Sequence, residues 1–323
     1  MSTGTPGFTR YEEFAVPVNG ITVTGRISRP DRPLPGPDSA AKPPLLLLHG
    51  HPETHLMWHR IADDLAEHFT VVAPDLRGYG GSSKPEGDAD HATYSKREMA
   101  RDAVALMEHF GAERGFASFA LCAHDRGARV GHRLLLDHPG AVTRAMFLDI
   151  APTLDMYAAT NREFAEAYFH WFFLIQPSPL PEALIEANPR AYIENIIGTR
   201  YAGLAPFPAP VLDAYVAALA SPGAVHAMCE DYRASATIDL EHDQADRDAG
   251  LTPEVPLRVL WGRHGVVEAL FDALDLWAKA VPGATGRSVD AGHYLPEEAP
   301  EEVLAEILAF LRDRPAPTGS VPA

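Results

Sequence analysis

A mostly parallel, doubly wound α/β sheet carrying an inserted helical cap is predicted by three features of the 323-residue sequence. Short apolar runs alternate with amphipathic helical patterns, as parallel strands joined by crossover helices require. The alternation stops between Pro152 and about Ala236, where aromatic-rich helical patterns and proline clusters take over. One apolar run passes through a turn of small residues straight into a helical pattern, with an aspartate at the turn. The expected division is a first part of the core at 1–151, the helical cap at 152–235, a second part of the core at 236–314 and a mobile tail at 315–323.

The elements follow in order. Tyr11 to Ser28 alternates on either side of Asn19-Gly20 and reads as an antiparallel hairpin at the sheet edge. Proline-rich Arg29 to Lys42 reads as a surface loop. Leu45 to Leu48, Thr70 to Ala73, Phe116 to Leu121, Arg144 to Leu148 and Leu257 to Trp261 are apolar runs of strand length, suited to a sheet covered on both faces. In Ser95 to Phe110, Met99, Ala103, Leu106 and Phe110 recur at helical spacing, and Ser95 with Glu98 predicts a capping box. Val130 to Leu136 and Glu297 to Leu311 read as further helices, and Arg314 to Ala323 as the tail. The densest part of the cap is Ala167 to Gln176. Its phenylalanines are expected to pack on the core, while His170 and Trp171 each carry an N–H that needs a partner when buried.

Composition narrows the partners. A formal net charge of −17 argues against nucleic acid and anionic membranes, and it means that an anionic substrate needs a local cationic site. Cys122 and Cys229 form no disulfide framework, the first residues lack a basic and apolar signal segment, and no apolar run approaches membrane length, so a cytoplasmic protein is expected. Monomer and homodimer both remain open.

The turn is Ala123-His124-Asp125-Arg126-Gly127, between a strand run and a helix pattern. Small-x-nucleophile-x-Gly in that setting is the nucleophile elbow of the α/β-hydrolase fold, which lifts one side chain above the sheet edge. Here that side chain is Asp125. A carboxylate attacking an acyl carbon gives a labile anhydride, whereas attack on an sp³ carbon expels a leaving group and forms an ester that water then cleaves. Alkyl halides and epoxides are therefore the candidate substrates. The chain order of this fold puts the base late, at His293 in Ala291-Gly292-His293-Tyr294. The orienting acid is expected at Asp149, directly after a strand, because Gly262 to Val267 offers no carboxylate before Glu268. His51, after the turn His49-Gly50-His51-Pro52, and Arg126 are the candidate backbone donors to the ester oxyanion. Asp75 to Ser82 is glycine-rich but lacks the Gly-Lys-Ser/Thr ending of a phosphate loop. His51-Pro52-Glu53-Thr54-His55 lacks the spacing of a helical zinc motif, and His55 and His59 read as an ordinary polar helix start. No metal or cofactor is expected.

The stretch His124-Asp125-Arg126-Gly127-Ala128-Arg129, with His170-Trp171 and Glu230-Asp231-Tyr232-Arg233-Ala234, resembles the fluoroacetate (haloacetate) dehalogenases of the α/β-hydrolase superfamily, from about Phe14 to Arg312. That resemblance implies Asp125 as nucleophile, His293 as base and Asp149 as its partner. It implies Arg126 and Arg129 on the substrate carboxylate, and His170, Trp171 and Tyr232 on the departing halide. Ala123 stands where the elbow usually has glycine, and His51 where the family often has an aromatic residue. Arg126 and Arg129, three apart at a helix start, share one face, and each guanidinium has the fork geometry for a bidentate carboxylate contact. A haloalkane dehalogenase would instead place tryptophan after the nucleophile. Two other readings stand beside this one. An epoxide hydrolase would draw on tyrosines of the cap, among Tyr168, Tyr192, Tyr201, Tyr215 and Tyr232. A non-catalytic binding protein on the same fold would commonly lack a triad member.

Overall fold

The computed structural model describes residues 7–30 and 42–312. The expected tail and nearly all of the Arg29 to Lys42 loop lie outside the described residues. Eight strands form one sheet: β1 (Tyr11–Val18), β2 (Ile21–Ser28), β3 (Pro44–Leu48), β4 (Thr70–Pro74), β5 (Phe119–His124), β6 (Val142–Leu148), β7 (Leu257–Gly262) and β8 (Thr285–Val289). Their spatial order is β1-β2-β4-β3-β5-β6-β7-β8. β2 pairs antiparallel with β1 and with β4, and every later pairing is parallel. At the hairpin turn Asn19 and Gly20 have φ of +46° and +77°, the left-handed pair whose twist matches that of the strands.

The period of two along each strand sorts the core into two layers. Leu45, Leu47, Val71, Cys122 and Met146 face one side of the sheet, where Val303, Ile307 and Leu311 of the helix Pro300–Leu311 pack. Leu46, Leu48, Val72, Leu121 and Phe147 face the other side. There they meet α2 (Lys96–Arg114) and α3 (Asp125–Asp137) through Met99, Leu106, Phe110 and Leu134, α1 being the short helix Ala62–His68 before β4. With helices on both faces, an all-apolar strand such as Leu45 to Leu48 is wholly buried.

Several boundaries depart from expectation for local reasons. The run from Phe116 enters its strand only at Phe119, because Gly115 at φ +80° closes α2 and the Phe116 N–H still donates to Gly111. Half of the capping box forms: the Ser95 hydroxyl accepts from the Glu98 N–H at 3.2 Å, but the Glu98 carboxylate turns to Asn19 and Arg101, each at 2.9 Å. The helix expected from Glu297 to Leu311 is divided at Ala299, since Pro300 cannot donate to a continuing helical ladder. Between β6 and β7 the described elements are all helices, from Thr153 to Asp248. In the helix Phe169–Leu174, His170, Trp171 and Leu174 are buried, while Phe169 is 54% exposed and so departs from the expected core role. No single helix among the described residues is long and apolar enough to cross a membrane.

α3 sits hard against β3. The Gly127 N–H donates to the His49 carbonyl at 2.9 Å, and a Cβ at Gly127 would lie 2.5 Å from that oxygen and 2.7 Å from the Leu48 carbonyl carbon. Both neighbours are backbone and neither yields cheaply. Gly127→Ala is therefore expected to cost about 1–3 kcal/mol of stability by overpacking. Urea unfolding measures this, and an unchanged midpoint would contradict the close approach.

Candidate active site

The chain leaves β5 at His124 and enters α3 at once, which forces Asp125 to φ +40°. That left-handed value is strained for a residue with a Cβ and is tolerated best by aspartate and asparagine among non-glycine residues. Gly50 makes room for it, as a Cβ there would lie 2.7 Å from that of Asp125. The Asp125 carboxylate is buried, and its Oδ2 accepts from the His51 N–H at 3.1 Å. Oδ1 takes no hydrogen bond from the described residues. Burial by itself would raise the pKa of this carboxyl, but His293, Arg129 and Arg126 outweigh it and hold the group below the usual carboxylate range. Asp125 is thus an anion with one oxygen tethered and the other unengaged.

His293 lies on the loop that follows β8, and its Nδ1 is 2.6 Å from Asp149 Oδ2. Asp149 follows β6 at φ +49°, and its Oδ1 accepts from the Gly262 N–H at 2.8 Å. That bond leaves the carboxylate one orientation, so Nδ1 donates to it and Nε2 is the ring nitrogen left to exchange a proton. Three strand ends thereby bring Asp125, Asp149 and His293 into one neighbourhood, while Glu268 is drawn away to the Trp261 indole.

The two arginines of α3 differ. Arg126 is locked from its Nε and Nη2 edge onto Asp231, at 2.8 and 3.0 Å, with Nη2 also reaching Ser235 at 2.5 Å. The bidentate contact expected of this residue toward a ligand is therefore already used inside the protein, and Nη1 alone is unengaged. Arg129 is buried with no carboxylate within ion-pair distance among the described residues. Its Nη1 donates to Thr153 Oγ1 at 2.8 Å, its guanidinium lies 4.7 Å from the Trp171 ring, and its Nε has no partner. Burial pulls its pKa down despite the attraction of Asp125.

His170, Trp171 and Tyr232 meet in one aromatic cluster with His51. The His51 and His170 rings stack at 5.7 Å, Tyr232 lies 5.2 Å from His51 and 5.9 Å from His170, and Trp171 is 6.5 Å from Tyr232. The Tyr232 hydroxyl and Nδ1 of both His51 and His170 are buried without partners, and the Trp171 N–H donates to no described group. Burial is the main reason that His51 falls to about 3 and His170 well below its ordinary value, so both rings are neutral. Such unpaired donors are costly in a closed core and mark a place for an acceptor.

A cavity of about 440 Å³ opens between exposed Phe169 and Tyr201 and ends on His170 and His293. Asp125, Arg126, Arg129, Trp171 and Tyr232 are not on its wall. Among the candidate epoxide tyrosines, Tyr215 donates to Glu297 at 3.0 Å and the Tyr192 hydroxyl is 3.1 Å from His51 Nε2, so both are engaged. Sequence reasoning missed the clamp role of Asp231, the buried unpartnered hydroxyl of Tyr157 against Trp171, and Arg200 on the cavity wall. The acidic residue directly before Tyr232 was a usable signal for the first, whereas the other two have no sequence pattern.

The alpha/beta hydrolase fold family model matches residues 43–300, and the chain belongs to that family. It is 43% identical over 272 residues to a fluoroacetate dehalogenase of Burkholderia sp., covering 84% of this chain and 88% of that one. It is also 31% identical to a soluble epoxide hydrolase of Corynebacterium sp. strain C12, over 83% of this chain and 89% of that protein. Among solved structures, one from Nostoc sp. PCC 7120, provisionally described as an alpha/beta hydrolase, superposes with a TM-score of 0.86 at 45% identity, covering 94% and 99% of the two chains. The chain is thus a hydrolase of this family, with relatives of two substrate classes.

Asp231 is the counterion on which the site is assembled. Asp231→Asn would leave Arg126 buried without its anion and Lys96 with only Asp239 at 3.5 Å, at an expected cost of about 3–5 kcal/mol. Chemical denaturation of the variant measures it, and a loss below about 1 kcal/mol would place the pair among surface-type bridges instead.

Proposed function

We propose that this hydrolase removes halide from a haloacetate, with fluoroacetate the preferred substrate class, giving glycolate and halide. The observation that carries the reading is the group of unpartnered neutral donors, His170, Trp171 and Tyr232, gathered beside an ionised Asp125. Fluoride leaves only when several fixed donors replace its strong hydration, and a cluster of buried aromatic side chains supplies them. The substrate carboxylate would take Arg129 and the free Nη1 of Arg126. Arg129 also weighs against a neutral epoxide, because a buried cation without a carboxylate partner is matched by an anion.

In the proposed sequence the free oxygen of Asp125 attacks the halogen-bearing carbon, the carbon–halogen bond breaks, and its electron pair leaves with the halide. His293 Nε2 then removes a proton from water, and the resulting hydroxide adds to the Asp125 carboxyl carbon. The oxyanion so formed is Oδ2, already facing the His51 N–H, with the Arg126 N–H as the second donor. Collapse breaks the bond to the alkyl oxygen, which takes the proton from His293 as glycolate leaves, and the Asp125 carboxyl so formed gives its proton to solvent and is restored as the carboxylate. The two buried free thiols, Cys122 and Cys229, suit the cytoplasm in which we place the reaction.

The two steps separate by mutation. His293→Ala should leave alkylation intact and stop ester hydrolysis, so mass spectrometry after incubation with fluoroacetate is expected to find a carboxymethyl adduct on the peptide containing Asp125, and none in Asp125→Ala. An inactive His293→Ala protein without adduct overturns the scheme. Tyr232→Phe and Trp171→Phe each remove one donor while keeping a ring. Each is expected to lower the defluorination rate about ten- to a hundredfold, equivalent to about 1–3 kcal/mol, and dechlorination less. Fluoride-electrode and chloride assays compare the two, and equal losses would reduce these residues to shaping the pocket.

A further inference from the structure

Arg200 is a second cation without a counterion, and it lies outside the constellation described above. It follows the helix Pro189–Gly198 and is half-buried on the wall of the 440 Å³ cavity, between the exposed ring of Tyr201 and the inner end at His170 and His293. Its guanidinium rests 4.9 Å from the Tyr168 ring centroid. No side-chain hydrogen bond or ion pair holds it among the described residues, and its Nε is buried without a partner. Nearby acidic groups are committed elsewhere. Glu166 on the same wall pairs with Arg162 at 2.7 Å, and Asp290 pairs at 2.8 Å with His264, whose ring stacks on Tyr201 at 4.0 Å. Asp149 and Asp125 attract Arg200 without forming an ion pair with it, Asp149 being held by Gly262 and His293 and Asp125 facing Arg129 and the His51 N–H.

An arginine kept on an aromatic face with its donors unspent is preorganised for a planar anion. Its place matters because the whole molecule carries a net charge of −17, which repels small anions at long range. A low-dielectric cavity with one uncompensated cation focuses the field and reverses that repulsion locally. We propose that Arg200 forms an anion-capture subsite in the access cavity, which binds the carboxylate of a small monoanionic acid before it reaches Arg129 and Asp125. The subsite deepens the reading above and rests on it for the identity of the acid. The inner arginines orient the substrate for displacement, whereas Arg200 raises its local concentration.

The test compares wild type, Arg200→Gln and Arg200→Lys by halide release from fluoroacetate and chloroacetate over a range of ionic strength, with uncharged chloroacetamide as the control. Expected for Arg200→Gln is a fall of about tenfold or more in kcat/KM on the acids at low salt, carried mainly by KM, within the range that charge focusing spans. The salt dependence of kcat/KM should flatten in that variant, Arg200→Lys should recover most of the loss, and chloroacetamide should lose less than the acids. Unchanged kcat/KM on the acids, or an equal loss on acid and amide, overturns the subsite. If wild type releases no halide from any haloacid, the dehalogenase reading fails, and the subsite is then judged by calorimetric binding of glycolate. Weaker binding by Arg200→Gln than by wild type supports it, and equal binding overturns it.

Discussion

The buried carboxylate of Asp231 is the point at which cap and core become one site. It is fully buried on the helix Ala224–Ala236, and it receives Arg126 from the start of α3, Lys96 from the start of α2 and the Tyr79 hydroxyl at 2.8 Å from the loop after β4. A carboxylate so deeply desolvated persists only if its charge and its lone pairs are all met. Burial would raise its pKa, but Arg126 and Lys96 hold it well below the ordinary carboxylate range. The geometry then propagates one residue along the helix, where the Tyr232 ring lies over Arg126 at 4.1 Å with its hydroxyl left unpartnered in the aromatic cluster. The same ion pair that docks the cap thus presents the Tyr232 hydroxyl toward Asp125.

Charge is balanced here by assigning each cation a separate duty. Arg126 is neutralised by Asp231, so the arginine left to face Asp125 is mainly Arg129. A second anion beside Asp125 would otherwise be repelled strongly, because the interior screens charge poorly. His51 and His170 are neutral by contrast, both stripped of their protons chiefly by burial. Neutral donors favour the charge that develops on a departing group without competing for the nucleophile itself.

Much of this was legible in the sequence, and what was not has a physical explanation. The strands of the inner sheet were readable because a sheet covered on both faces demands unbroken apolar runs, and the hairpin because Asn19-Gly20 suits two left-handed residues. Asp125, Asp149 and His293 could be named from strand-end position, and the structure brings them together; Glu268 was set aside for want of reach, and it bonds Trp261. Phe169 escaped, since aromatic density in a cap does not say which ring faces out. The commitment of Arg126 to Asp231 joins residues 105 apart in the chain, and no local pattern encodes such a pairing. Arg200 was invisible for a similar reason: what distinguishes it is the absence of a partner, which only packing decides.

Beneath the base lies a second buried network that explains how a loop residue can be placed so firmly. The His124 ring, one residue before the nucleophile, donates from Nε2 to the His293 carbonyl at 2.9 Å, and its Nδ1 lies 3.2 Å from Glu53. Burial disfavours the imidazolium, yet Glu53 raises the pKa of His124 above its ordinary value. Glu297, wholly buried beside Glu53, is pushed well above the carboxylate range by burial and by that neighbour. The Tyr215 hydroxyl donates to Glu297 from the cap at 3.0 Å. The backbone of His293 is held from below by this chain while Asp149 orients its ring from the side, so Asp125 and His293 are fixed through adjacent residues of one turn and share its rigidity.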